Sequence, residues 1–214
     1  MWNEQLKCEV PVGWKVTTLK GLFNIERGIS YTSKEIEDAD GIPMINLANV
    51  DTKRNYKPTE LKYFSGKITE KAKLGAYDLL IACTDLTRNA DIVGCPILVP
   101  DDSRSYIFSM DMAKITSASD ELDEMYLYMT LRTDFYHDFI KRWASGTNVL
   151  HLNLDGLDWY TTWLPPVDLQ QKYSAIVRDI HKQQCILLAE NERLTLLRNW
   201  LLPMLMNGQT TVAT

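Results

Sequence analysis

The stretch that decides the architecture is residues 168–204, DLQQKYSAIVRDIHKQQCILLAENERLTLLRNWLLPM. Within it Tyr173, Ile176, Ile180, Gln183, Leu187, Glu190, Leu194, Leu197, Leu201 and Met204 recur in alternating steps of three and four. That spacing lays side chains along one face of an α-helix. Sustained beyond four heptads, with polar interruptions at Gln183 and Glu190, it is a coiled-coil seam. Asp168 is placed to cap the start, and Pro203 with Gly208 to stop the helix. From Leu169 to Leu202 such a helix is ~50 Å long at 1.5 Å per residue. A domain of about 150 residues does not cover that length, so an arm seeking a helical partner is expected. Paired in parallel, two copies would set Glu190 against Glu190. Turned antiparallel about Leu187, they would bring Tyr173 near Leu201, Ile176 near Leu197, Ile180 near Leu194 and Gln183 opposite Glu190. An antiparallel homodimer is therefore expected.

Upstream, Pro165-Pro166 closes a compact region. The chain divides into a domain over residues 1–166 and a helix with its tail over 167–214. Short strands separated by turn residues fill the first 120 positions. Gly41 to Leu47 alternates apolar and polar residues, and Tyr77 to Ala82 and Ile92 to Val99 are brief apolar runs. Pro96 places the last of these at a sheet edge or a bulge, and Tyr106 to Ile115 reads as one more alternating strand. Ser119, followed by Asp120, Glu121, Asp123 and Glu124, reads as the cap and acidic first turn of a helix continuing, with a break, towards Trp143. The fold class is α+β: a compact mixed domain followed by a long C-terminal coiled-coil helix.

Composition excludes several roles. No apolar run is long enough to span a bilayer, and Met1-Trp2-Asn3-Glu4-Gln5 lacks the basic-then-apolar pattern of a leader. A cytoplasmic location is expected. Cys8, Cys83, Cys95 and Cys185 form no CxxC pair, and His137, His151 and His181 are not spaced as zinc partners, so no metal is expected. Phosphate-binding glycine loops, nucleophile elbows and HExxH are missing. Leu164-Pro165-Pro166-Val167 is not the acidic or amide-Pro-Pro-aromatic motif of an amino-methyltransferase, and Asp111-Met112-Ala113-Lys114 lacks nuclease spacing. No catalytic residue is assigned. The formal net charge of −5 argues against a simple nucleic-acid binder. The basic run of Lys53, Arg54, Lys57, Lys62, Lys67, Lys71 and Lys73 against Glu60 and Glu70 softens that objection.

Taken in order, several stretches resemble the specificity subunits of type I restriction–modification systems. They are Val10-Pro11-Val12-Gly13-Trp14, Ile42-Pro43-Met44-Ile45 with Asn49, and Asp78 to Ala82. Then come Ser145-Gly146-Thr147 with His151-Leu152-Asn153, Leu164-Pro165-Pro166 with Gln170-Gln171-Lys172, and Leu201 to Leu205 with Gly208. The resemblance covers residues 10–209. It implies a DNA-recognition protein without catalysis of its own, acting on double-stranded DNA beside modification and restriction subunits. S-adenosylmethionine, ATP and magnesium would bind those partners and none would bind this chain. This chain holds one recognition domain and one spacer helix where the usual subunit holds two of each.

Base reading needs Arg or Lys for guanine and Asn or Gln for adenine, on loops carried by a rigid scaffold. Three polar loops have that inventory: Arg27, Tyr31, Ser33 and Lys34; Asn49, Lys53, Arg54 and Lys57; Thr84, Asp85, Arg88 and Asn89. Ser145-Gly146-Thr147 with His151 and Asn153 reads as a structural turn, and Trp143, Trp159 and Trp163 as core. The rival function is a coiled-coil adaptor without DNA reading, which explains the helix and the acidic balance but not the motif series.

Overall fold

The computed structural model describes residues 2–4, 8–37, 40–59, 61–87 and 89–210. Along the chain run β1 (Trp2–Asn3), β2 (Cys8–Glu9), β3 (Lys15–Thr18), β4 (Phe23–Arg27), β5 (Ile36–Glu37), β6 (Ile42–Ile45), β7 (Lys62–Phe64) and β8 (Lys73–Leu74). They are followed by β9 (Leu79–Ala82), β10 (Thr84–Asp85), β11 (Pro96–Leu98), β12 (Tyr106–Phe108) and β13 (Met112–Ser117). The C-terminal part holds α1 (Glu124–Leu131), α2 (Asp134–Ile140), β14 (Ala144–Ser145), β15 (Leu150–Leu152), α3 (Asp155–Asp158), β16 (Thr161–Leu164) and α4 (Val167–Met206).

A four-stranded sheet in the order β11-β9-β13-β4 forms the centre. Its strand β9 is buried on both faces. Leu79 and Ile81 face a core made with α1 and α2, whereas Leu80 and Ala82 face a second core. A strand covered on both sides reads as an unbroken apolar run because successive side chains point to opposite faces. The second core is closed by a five-stranded sheet, β5-β7-β6-β12-β8, through Ile45, Leu74, Tyr106 and Phe108. Pro96 lies in the edge strand β11, as its missing N–H requires. The span from Tyr106 to Ile115 is not one strand. β12 pairs with β6 in one sheet and β13 with β9 in the other, because the turn at Ser109–Asp111 passes the chain between layers. The α1 cap is Asp123 rather than Ser119. Its Oδ1 accepts from the Met125 and Tyr126 amides, and Thr133 caps α2 separately.

Helix α4 starts two residues earlier and ends later than the sequence suggests. Pro166, which has no N–H to satisfy, occupies the cap, and Asp168 sits inside the first turn. Pro203 is inside the helix, where its ring removes one backbone bond but the turn continues. The stop is Gly208 at φ 68°, whose amide and that of Gln209 donate to the Leu205 and Met204 carbonyls, a Schellman closure. The helix packs on the domain through Gln170, Ser174, Val177, His181 and Cys185. This stripe differs from the heptad seam, whose members are exposed from Tyr173 to Leu197. Gln170 Nε2 donates to the carbonyls of Glu121 (2.9 Å) and Pro165 (2.8 Å), and its Oε1 accepts from the Asp123 amide (3.0 Å). Ser174 donates to the Asp123 carboxylate. The base of the helix is thereby fastened to the cap of α1, while its far half runs exposed.

Burial lowers the pKa of His181, which stacks edge-on with Tyr77 (5.6 Å) at this contact, below the ordinary 6.5. Burial, then Arg54, does the same for His137 on α2. A histidine whose folded pKa is depressed stays neutral in the fold and binds its proton more readily unfolded. Stability should therefore be full above about pH 6.5 and decline as the pH falls below it. Melting temperatures recorded from pH 7.5 to 5.5 should drop, and His181→Gln should shallow the decline. A flat profile would contradict this.

Candidate nucleic-acid interface

The exposed polar segments of the domain are joined by a chain of specific contacts. Arg27, at the end of β4, donates through Nη1 to the Met110 carbonyl (3.3 Å), and Ser30 reaches the Met110 sulfur (3.1 Å). On the next residue, Asp111 Oδ1 accepts from Thr84 Oγ1 (3.2 Å). Thr84 then pairs across the ladder with His151, and His151 with Ser145. The β14–β15 hairpin so placed turns through Gly146, Thr147, Asn148 and Val149. Gly146 has φ 140°, and a Cβ there would stand 1.9 Å from the Val149 carbonyl oxygen, so no other residue fits the turn. Because Asp85 pairs with Leu150, the loop that follows β10 leaves beside the hairpin tip. Leu86, Asn89, Thr147 and Asn148 are all exposed there.

Two loops also meet at α2. His137 hydrogen-bonds with the backbone at Ala90 and is electrostatically coupled to Arg54. Ala90 and Arg54 both adopt left-handed backbone, φ 57° and 64°, a conformation that side-chain-bearing residues avoid unless their surroundings hold them. Arg54 forms an ion pair with Asp134 at the start of α2, and Arg132 Nη2 donates to Asn55 Oδ1 (2.8 Å). The basic loop is therefore moored to the helices.

Several residues assigned to base reading have other work. Asn49 is fully buried. Its Oδ1 accepts from the Asn46 amide (3.0 Å), and its Nδ2 donates to the carbonyls of Lys57 (3.1 Å) and Thr59 (3.2 Å), so it shapes its own loop. Thr84 is buried in the β10 ladder. Asp85 is also fully buried, its carboxylate accepting from the amides of Thr87 (2.6 Å), Ile92 (2.7 Å) and Val93 (2.8 Å). Arg54 is tied to Asp134, as described. Lys53, Ser33, Lys34 and Asn89 are exposed, Arg27 is exposed beside Met110, and Lys57 is half-buried. Tyr31 is half-buried beneath Lys62 Nζ, 5.8 Å from its ring centre. Arg88 lies outside the described residues. The hairpin tip, read from sequence as a structural turn, is exposed beside the loop that follows β10. Trp159 and Trp163 are not core: they are 57% and 36% exposed, and Lys20 lies over the Trp159 ring.

An α+β domain with a polar loop surface and a projecting helix is a known class. A component of the type I R-M system, from work on its complex assembly and conformational transition, shares the fold at 20% identity and TM-score 0.55, over 92% of this chain and 46% of that one. The HsdS subunit from Thermoanaerobacter tengcongensis does so at 19% identity and TM-score 0.53, over 86% of this chain and 41% of that one. The type-I restriction-modification S subunit from M. genitalium does so at 13% identity and TM-score 0.54, over 82% and 40%. The chain thus spans less than half the length of each. No curated protein matches it. Residues 11–196 match the type I restriction modification DNA specificity domain, and the chain belongs to that family.

Proposed function

We propose that the chain is a half-length specificity subunit that reads one half of a double-stranded DNA site and performs no chemistry. Modification and restriction subunits, carrying S-adenosylmethionine, ATP and magnesium, act where it directs them, in the cytoplasm. Two copies join through antiparallel α4 helices, so that the same bases are read inverted in each half-site. Family membership supports the class of function. The observation that carries the placement is the contact chain from Arg27 through Thr84 to the hairpin tip, which gathers separate loops along one stretch of surface.

Mobility shifts with cognate and random duplexes, with and without a modification subunit, test the reading. Asn89→Ala and Asn148→Ala should cost about 1–3 kcal/mol on cognate DNA if each makes a bidentate adenine contact, with little effect on random DNA. Lys53→Ala should weaken both alike and lower the salt slope by roughly one unit. Equal losses on both duplexes for the asparagine variants would exclude them as readers.

A further inference from the structure

We propose that Met110, at the tip of the turn between β12 and β13, reads a thymine in the major groove through the 5-methyl group of the base. The inference rests on the DNA reading proposed above and adds one base and the side chain that recognises it.

A tight turn usually carries Gly, Pro, Asn, Asp or Ser at its tip, because those residues suit its backbone. Ser109-Met110-Asp111-Met112 places a methionine there instead. The frame around it is firmly held. Ser109 and Met112 are fully buried. The Ser109 amide donates to the Ile45 carbonyl (2.9 Å), the Met112 amide to the Ser109 carbonyl (3.0 Å), and the Cys83 amide to the Asp111 carbonyl (2.7 Å). Met110 stands out of this frame, 48% exposed. A single exposed apolar side chain is ordinary on a protein surface, but this one is also held in place.

The Met110 amide donates to the Ile29 carbonyl (2.8 Å), and its own carbonyl accepts from Arg27 Nη1 (3.3 Å). Ser30 Oγ donates to the thioether sulfur (3.1 Å). At Gly28 the chain leaving β4 runs so close to the turn that a Cβ there would stand 2.3 Å from the Ser109 carbonyl oxygen. A methionine rotates about three side-chain bonds and gives up that freedom when it lies against a ligand. Here the backbone and the sulfur are already engaged, so part of that loss is met before DNA arrives.

The surroundings select the ligand. Met110 lies in the middle of the contact chain, with Arg27 and Ser30 on one side and Thr84 and the β14–β15 hairpin on the other. Arg27, exposed beside it, supplies the positive charge that seats a phosphate while the neighbouring side chain reaches a base edge. Donors and acceptors mark the bases in the major groove, and the one apolar group that marks a base there is the thymine methyl. A thioether has no proton to donate and accepts only weakly. Against the other base edges Met110 would cover polar groups without bonding them, whereas against thymine it buries a methyl group.

The test selects duplexes from a random-sequence pool with the parent chain and a modification subunit, then replaces each selected thymine singly by uracil, which lacks only the 5-methyl group. Mobility shifts should find a thymine whose replacement weakens binding roughly fourfold, as the loss of one buried methyl group does. Met110→Ala should bind the thymine duplex more weakly by about that factor or more and treat the two duplexes alike. Its melting temperature should stay near the parent's, because the side chain is exposed. Met110→Leu, which keeps an apolar tip, should retain the preference for thymine. A selected site with no thymine sensitive to the replacement, or a Met110→Ala variant that keeps the sensitivity, overturns the assignment and leaves DNA reading standing. A loss in Met110→Ala that is equal on every duplex, random ones included, makes the residue a contact to the DNA backbone or to the modification subunit and overturns it too. Selection of no sequence at all overturns the proposed function itself.

Discussion

Asp85→Ala should lower the melting temperature by roughly 6–12 °C without first altering which bases are preferred. The carboxylate is buried and accepts three amide protons, from Thr87, Ile92 and Val93. Alanine leaves those donors in a cavity that water does not readily enter. An orphaned buried donor costs about 1–3 kcal/mol, so a loss of at least ~3 kcal/mol is expected, a large part of a typical domain's 5–15 kcal/mol. At this chain length each kcal/mol moves the midpoint by about 2–4 °C. Asp85→Asn, which keeps one acceptor oxygen, should fall between. Calorimetry of the three proteins decides it. An unshifted midpoint together with changed base preference would return Asp85 to the set of readers.

That residue also shows where sequence reading stops. The heptad seam, the doubly covered strand β9 and the edge proline Pro96 were legible because each follows a short-range rule of periodicity or backbone chemistry. Asn49, Thr84 and Asp85 were read as loop residues seeking DNA because a polar side chain that organises a loop has the same composition as one that leaves it. Only the partners separate the two cases. The acceptor of Thr84 lies 27 residues away, and Asn49 bonds the chain at Lys57 and Thr59. Sequence also hid that α4 has two working faces. Gln170, Ser174, His181 and Cys185 look like solvent-side polar positions, yet they are the ones packed on the domain. The apolar seam, read from sequence as facing a helical partner and not the domain, is the exposed one. The domain supplies polar groups to meet the first stripe, the cap of α1 above all, and nothing among the described residues covers the second.

Leu187→Asp should therefore leave the fold intact and abolish pairing. Leu187 is 62% exposed, so the isolated chain loses little by the change and its melting profile should stay within about 1 °C, as surface substitutions commonly do. In the antiparallel pair Leu187 lies on the two-fold axis and meets its own copy. One substitution then removes two leucines from the interface, worth about 1.5–3 kcal/mol each when fully buried, and places two carboxylates face to face. A cost of roughly 3–6 kcal/mol raises the dissociation constant by about 10² to 10⁴. Site-directed methylation with a modification subunit should fall with it, since in the proposed function each copy reads only half a site. Gln183→Glu should also weaken the pair, because it sets a second carboxylate beside the partner's Glu190. A parallel pair would treat the two changes differently: Glu190→Gln alone would strengthen it by relieving a like-charge contact, and Gln183→Glu would create a new one at its own level. Sedimentation of Leu187→Asp, Gln183→Glu and Glu190→Gln separates the arrangements. In the antiparallel pair Glu190→Gln sets one amide against another, relieves no repulsion and does not tighten dimerisation. Tighter dimerisation of Glu190→Gln than of the parent chain would overturn the antiparallel pair.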